Sequence, residues 1–348
     1  MTATPEVVFV TGVSRFLGAR LAGRIAAHPG VKRVIGLDVH PVPEPLAADL
    51  HRVELVTADM RTLADIIADS KAQAVVHLAV VSAPEPGGRS AMKDQNVIGT
   101  MQLLGACQQV PTLRTLVVRS STAAYGASFR DPAVFTEDAE PREAPRGGFG
   151  KDILDIEGYV RGFRRRRPDV TATVLRFAPF IGSGTETALL RYFSRPIVPT
   201  VLGRDPRLQF VHVDDALEIL TRSVLEQHPG TYNVAGPGVL TLSQAIRRAG
   251  RLAAPIVEPG LIAASVVGRG VISKDQVDLF VHGRVVDVSK LTREFGFTPR
   301  PTAEAFRAFV KTHETGAAFT PERIAAVEQT LLDMIASVRS RATTGGGA

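Results

Sequence analysis

Val7-Val8-Phe9-Val10-Thr11-Gly12-Val13-Ser14-Arg15-Phe16-Leu17-Gly18 is the stretch that decides the fold. Its first four residues are apolar and mostly β-branched, the pattern of a parallel strand buried on both faces. The turn that follows carries glycine at 12 and 18 and leads into a helix expected from about Ala19 to Ala27. Such a turn, between a first strand and a first helix, is where the pyrophosphate of a dinucleotide sits. Backbone N–H groups and the positive helix end meet the phosphate charge there. The next strand, Arg33 to Leu37, ends in Asp38. A carboxylate at that point accepts both ribose hydroxyls of an adenosine and repels a 2′-phosphate, which favours NAD over NADP. The competing reading of Asp38 is an ordinary loop aspartate.

Composition sets the outer bounds. The chain has 348 residues, enough for one or two domains with a large core, and 41 basic against 35 acidic residues give a net charge of +6. That balance suits anionic small ligands and falls short of a nucleic-acid-binding tail. Arg164 to Arg167, the densest basic run, ends a helical pattern before Pro168 and reads as a solvated helix end. Cys107 is the single cysteine, so an intrachain disulfide is excluded and a reducing, cytoplasmic setting is expected. It sits in an apolar helical pattern, as a buried, inert thiol would. Thr4-Pro5-Glu6 leads straight into the first strand without a secretory signal, and no apolar run approaches the roughly 20 residues that span a bilayer. Metal-ligand spacing and nucleic-acid motifs are absent from the sequence.

Strand and helix patterns continue to alternate. Asp59-Met60-Arg61 closes a third strand and Val75-Val76-His77-Leu78-Ala79 is a fourth. Asn96-Val97-Ile98-Gly99-Thr100 opens a helix, and Thr115-Leu116-Val117-Val118 runs into Arg119-Ser120-Ser121-Thr122-Ala123-Ala124-Tyr125-Gly126. Val174 to Gly182, Phe210-Val211-His212-Val213-Asp214-Asp215 and Tyr232-Asn233-Val234 follow. Strands separated by helices imply an α/β fold with a Rossmann-like doubly wound parallel sheet and a smaller C-terminal lobe. The core is assigned to residues 5–178 and 202–236, the lobe to 179–201 and 237–310, and a helical extension with a disordered tail to 311–348. In that extension Ile324, Val327, Leu331, Met334 and Val338 recur at helical spacing. Asp214 and Asp215, at a helix start, are expected to cap it.

These motifs resemble those of the extended short-chain dehydrogenases/reductases, in the NAD-dependent epimerase/dehydratase group that holds UDP-sugar 4-epimerases and nucleotide-sugar dehydratases. The resemblance covers about Val7 to Val310. It implies cofactor contacts from Thr11, Gly12, Arg15, Phe16, Leu17, Gly18, Asp38, Asp59, Met60, Leu78, Ala79 and Asn96. It places Ser121 where a hydroxyl meets the reacting sugar oxygen, and makes Asn96 a brace near the site. It also implies a nucleotide-sugar ligand and a homodimer formed through a two-helix bundle.

Two departures stand out. Arg15 occupies the middle glycine of Thr-Gly-x-x-Gly-x-x-Gly, where its side chain either pairs with the phosphates or obstructs the turn. More seriously, Phe149-Gly150-Lys151-Asp152-Ile153 stands where the family has Tyr-x-x-x-Lys, with Glu157 and Val160 fixing the register. Phe149 cannot relay a proton and Ile153 cannot lower a neighbour's pKa. None of the four tyrosines, Tyr125, Tyr159, Tyr192 and Tyr232, is followed by a lysine four residues on. Tyr125, His212 and Lys151 are the remaining side chains that loops could bring in as substitutes. Two readings stay open: an NAD-binding protein of this group with atypical or strongly reduced catalysis, or a non-catalytic sensor or scaffold for NAD or a nucleotide-sugar, alone or paired with an active relative.

Overall fold

A computed structural model describes residues 4–58, 62–82, 88–145, 148–182, 188–256 and 274–312. Asp59, Met60, the 321–341 helical pattern and the tail after it lie outside the described residues. The elements run β1 (Val7–Thr11), α1 (Phe16–Ala26), β2 (Arg33–Asp38), α2 (Glu44–Ala47), β3 (Val53–Thr57), α3 (Leu63–Ser70), β4 (Ala74–His77), α4 (Gly88–Lys93), α5 (Gly99–Gln108) and β5 (Thr115–Ser121). They continue through α6 (Gly148–Arg166), β6 (Thr171–Phe177), β7 (Phe180–Ile181), α7 (Ala188–Phe193), β8 (Ile197–Val201), β9 (Arg207–Leu208), β10 (Val211–His212), α8 (Val213–Leu225), β11 (Gly230–Val234), β12 (Leu240–Thr241), α9 (Leu242–Arg248) and β13 (Leu252–Ile256). Three further helices, Lys274–His282, Ser289–Phe295 and Thr302–Thr312, close the described chain.

Seven strands form one sheet in the order β11-β6-β5-β4-β1-β2-β3. Every pairing in it is parallel. The order reverses between β1 and β4, and the carboxyl ends of those strands flank the crevice where open α/β sheets take their ligands.

The core follows from strand alternation. Val8 and Val10 pack with Leu17, Leu21 and Ile25 of α1 and with Ile219 and Leu220 of α8. Phe9, between them, points the other way, into a cluster with Leu63 and Ile67 of α3, Leu103 and Leu104 of α5, and Ile156 and Val160 of α6. Apolar residues at helical spacing thus cover both sheet faces. A third cluster joins α7, β8, α9 and Phe306 and Phe309. Tyr125, Phe135, Ala178, Ala235 and Val286 form a small fourth one. No helix among the described residues is long and apolar enough to cross a membrane.

Three local expectations need correction. The first helix starts at Phe16, three residues before the expected Ala19, because the turn winds directly into helix after Arg15. His212, not the following aspartates, caps α8: its Nδ1 accepts the Asp214 backbone N–H at 3.3 Å. Asp215 is instead clasped by Arg300, whose Nε and backbone N lie 3.0 and 2.9 Å from its Oδ2. The basic run is only partly solvated. Arg165 and Arg166 are exposed, whereas Arg164 donates to the Ala172 and Gly230 carbonyls and Arg167 to those of Cys107, Gln108 and Val110. Two arginines of the run therefore tie the end of α6 to β6, β11 and the end of α5.

Candidate cofactor and active site

The turn after β1 is shaped by its outer glycines. Gly12 has φ +85°, and a Cβ there would lie 2.8 Å from the backbone of Leu78 and Ala79. A Cβ on Gly18 would meet the Gly12 carbonyl oxygen at 2.1 Å. Both contacts are with backbone, so neither yields to a side-chain rotation. Arg15 differs. Its φ of −111° and ψ of 151° are extended backbone open to any residue. The middle position of this turn carries an arginine without backbone strain. The first turn of α1 has no acidic residue, which leaves its N-terminal dipole free to face an anion.

Asp38, at the end of β2, is buried and reaches back to the same turn. Its carboxylate accepts from Ser14 N at 3.0 Å and His40 N at 3.3 Å. A small cavity of about 20 Å³ beside it is lined by Thr11, Leu37, Asp38, Val39, His77 and Ala79, among others.

Under the crevice runs a chain of hydrogen bonds whose directions can be assigned. Thr100 Oγ1 donates to the Asn96 carbonyl at 2.5 Å, so it must accept from His77 Nε2 at 2.8 Å. With its proton on Nε2, His77 accepts at Nδ1 from Thr11 Oγ1, also at 2.8 Å. Thr11 Oγ1 in turn accepts from the Leu78 and Ala79 backbone N–H groups at 3.2 and 3.4 Å. Burial, with the charge of Arg119 nearby, pushes His77 down to about 4, so it is neutral at physiological pH. His77 is a structural link beside the crevice.

Asn96 lies in a π-helical turn, Asp94–Ile98, between α4 and α5, and is 0 % exposed. Its Oδ1 accepts from Val81 N at 2.8 Å, and its Nδ2 donates to Val81 O at 2.9 Å and to Asp152 Oδ2 at 3.1 Å. Both amide hydrogens are therefore committed within the protein. Asp152, one residue before Ile153, is also held by Arg89, whose Nη1 and Nη2 donate to its two oxygens at 2.6 and 2.5 Å. Arg89 further bonds the Gly148 carbonyl at 2.7 Å. Arg89, Asp152 and Asn96 form a network that sequence reasoning missed: Asp152 lies 63 residues from Arg89 and 56 from Asn96, and no motif spacing links them.

Phe149 and Ile153 are 9 % and 0 % exposed and belong to the apolar cluster under α5 and α6. Neither offers a proton. The substitutes are occupied elsewhere. Tyr125 is buried with its hydroxyl 2.8 Å from Asn233 Oδ1, and it accepts from Arg176 Nη1 at 2.7 Å; burial raises its pKa. His212 caps α8, and burial lowers its pKa. Lys151 pairs with Asp155 along the helix. Ser121, half-buried at the end of β5, accepts from Ala123 N at 3.1 Å. Glu157, which fixed the motif register, accepts from Ser120 Oγ at 2.6 Å and pairs with Arg176 at 2.7 Å. Cys107 is buried in α5, which pushes its thiol up to about 12.

Arg119 is a second residue the motif reading passed over. It lies on β5 two residues before Ser121, donates from Nη1 to Val80 O at 2.9 Å, and sits 5.2 Å from the centre of the Phe180 ring. Among the described residues it forms no ion pair. An arginine ending an otherwise apolar strand was the signal available in the sequence.

Comparison with known proteins gives a consistent result. Residues 8–235 match the model of the NAD dependent epimerase/dehydratase family. An uncharacterized protein of Mycobacterium tuberculosis is 42% identical over 328 residues, which is 92% of this chain and 87% of that protein. Among solved structures, MoeE5 in complex with UDP-glucuronic acid and NAD aligns with a TM-score of 0.69 at 22% identity, covering 89% of this chain and 99% of that one. UDP-glucose 4-epimerase of Thermotoga maritima, solved with UDP-glucose, aligns with a TM-score of 0.69 at 16% identity over the same shares.

Proposed function

The chain belongs to the NAD dependent epimerase/dehydratase family, and from that premise we propose that it binds NAD in the crevice between β1 and β4, takes a nucleotide-sugar beside it, and has strongly reduced or re-routed catalysis. The observation that carries this is a contrast within one site. The glycine turn and the N-terminus of α1 keep the shape and charge that suit a dinucleotide diphosphate, and Asp38 the acceptor that suits its ribose, while Phe149 and Ile153 are apolar core.

Gly12 and Gly18 would hold the backbone close against the phosphates, with Thr11, Phe16 and Leu17 completing the turn. Asp38 would take the adenosine ribose, and its negative charge favours NAD over NADP. Leu78 and Ala79 would line the crevice from β4, and Ser121 would meet the sugar. Bound NAD would supply hydride transfer at a sugar carbon. The matching proton has to leave a sugar hydroxyl, and a positioned acid or base contributes about 10²–10⁴-fold to such a step. With Tyr125, His212 and Lys151 committed to other bonds, the described residues favour slow turnover at this site.

That contrast equally favours a second reading, in which NAD or a nucleotide-sugar stabilises one conformation for a partner and is not consumed. We also place the protein in the cytoplasm as a homodimer joined through α5 and α6. Ile98 and Met101, 39% and 43% exposed beside α6, support that face.

Titration calorimetry with NAD⁺ and NADP⁺ tests the binding step; tighter binding of NAD⁺ is expected, and absence of NAD⁺ binding overturns the proposal. Single-turnover assays with UDP-sugars then separate the two readings. Turnover that rises in Phe149→Tyr/Ile153→Lys supports a weakened enzyme, and binding without turnover in either protein supports the sensor.

A further inference from the structure

Away from the crevice lies a second cavity, of about 400 Å³, a size that suits a small molecule. It is bounded by residues of the segment 128–135, of the turn 203–207 between β8 and β9, and of 281–285 at the end of the helix Lys274–His282. None of its lining residues is among those assigned above to NAD or to the sugar. Backbone contacts fix these segments against one another. Phe135 N donates to Val285 O at 2.8 Å, and Arg284 N to Arg207 O at 3.1 Å. Gly283 allows that approach: its φ is +74°, and a Cβ there would lie 2.5 Å from Arg207 O.

Two features of the cavity wall are left unmet by the protein itself. The first is charge. Arg204, Arg207 and Arg284 line the cavity together with Asp131 and Asp205. Asp205 is taken by Ser243, whose N and Oγ each donate to it at 2.8 Å. Asp131 feels the charge of Arg284. Arg204 and Arg207 are exposed and form no ion pair among the described residues. Arg207 is steadied by a neutral partner, donating from Nη2 to Ala133 O at 3.0 Å. The second feature is hydrogen bonding. Asp131 Oδ2 accepts from Ser128 N at 2.6 Å, but its Oδ1 is buried without a partner among the described residues. His282 Nδ1 is buried in the same state. Buried polar atoms are almost always paired, so two unpaired ones on residues of one cavity require an explanation.

We propose that this cavity is a second ligand site, for a small phosphate ester that carries a free hydroxyl: Arg204 and Arg207 take the phosphate, and the hydroxyl donates to Asp131 Oδ1 and accepts from His282 Nδ1. A phosphate monoester has a charge of about −1.5 to −2, which two unopposed guanidinium groups match, and their planar forks of donors fit its oxygens. One hydroxyl is donor and acceptor at once, so a single group supplies both missing bonds. The ligand is bound at this site and undergoes no reaction there. The proposal stands independently of the crevice and of NAD.

The test is calorimetric titration of the full chain with glycerol 3-phosphate and with inorganic phosphate, on wild type, Arg204→Met/Arg207→Met and His282→Phe. Wild type is expected to bind glycerol 3-phosphate about fivefold more tightly than inorganic phosphate, through the added hydroxyl. The double arginine variant is expected to lose about tenfold for both. His282→Phe should keep inorganic phosphate within about twofold and lose the preference for glycerol 3-phosphate. A wild-type dissociation constant above about 10 mM for glycerol 3-phosphate overturns the proposal. So does equal affinity in wild type and the double variant, which would put the phosphate elsewhere on the chain, and so does a preference that survives His282→Phe. If the double variant does not fold, Arg204→Met decides alone, by a loss of about threefold or none. NAD⁺ affinity should be the same in wild type and the double variant; a parallel loss would place both arginines at the nucleotide crevice and overturn the proposal. Wild type that fails to bind NAD⁺ but binds glycerol 3-phosphate through Arg204 and Arg207 removes the cofactor reading and supports this one.

Discussion

Replacing Arg89 should cost more stability than replacing its partner. Asp152 has a side chain 1% exposed, accepts two bonds from Arg89 and one from Asn96, and lies beside the altered Phe149 and Ile153 positions. Arg89→Met leaves that carboxylate enclosed with the Asn96 amide alone. Breaking a buried pair from one side costs about 3–5 kcal/mol, and because the Arg89 side chain is 39% exposed, water moderates this to about 2–3 kcal/mol. Asp152→Ala is gentler. The guanidinium keeps its bond to Gly148 O and turns partly to solvent, while one Asn96 hydrogen loses its acceptor, for about 1–1.5 kcal/mol. The double variant should be close to Asp152→Ala alone, since the stranded charge is gone. Urea unfolding of the four proteins, compared at equal m-values, measures this directly. A cost for Asp152→Ala equal to or above that for Arg89→Met would refute the reasoning, because the carboxylate would then not depend on its arginine.

Gly18→Ala should lower stability by at least about 2 kcal/mol, because its Cβ would press on a backbone oxygen at 2.1 Å, whereas Arg15→Ala, at an extended φ of −111°, should stay within about 1 kcal/mol; thermal unfolding distinguishes them. His77 gives a pH signature. Its pKa falls on folding from an ordinary 6.5 to about 4, so the unfolded chain binds more protons between those values. Stability is then full above about 6.5 and declines as the pH drops toward 4, by roughly 3 kcal/mol in total, and His77→Gln should flatten that part of the profile. Cys107, with its thiol pushed up to about 12 inside α5, should resist maleimide labelling in the native protein and react at the rate of unfolding.

The doubly wound sheet was legible because the strands announce themselves: Val7 to Val10, Val75 to Ala79 and Thr115 to Val118 are short, mostly apolar and β-branched runs, and each precedes a helical pattern. The glycine turn and the position of Asp38 were legible for the same local reason. Arg15 could be noticed but not judged, since whether a side chain fits depends on φ, and φ at that position is set by the turn as a whole. What escaped was built from contacts between distant segments. Arg164 was read as solvated, yet its guanidinium reaches Gly230 O, 66 residues on. Asp214 and Asp215 match the usual capping types, but His212 precedes them and its ring nitrogen takes the free N–H first. Arg89 meets Asp152 across 63 residues, through a pairing made where the π turn Asp94–Ile98 touches both α4 and α6.

The Thr11–His77–Thr100–Asn96 chain is an insulator and not a wire. A relay of protons needs a terminal atom that can gain or release one, and this chain ends on the Asn96 backbone carbonyl, which does neither. Each hydroxyl and the imidazole point the same way, so reversing the direction would require every member to turn at once inside a closed core. The floor of the crevice therefore offers a ligand a fixed pattern of dipoles, with no path along which charge can drain away.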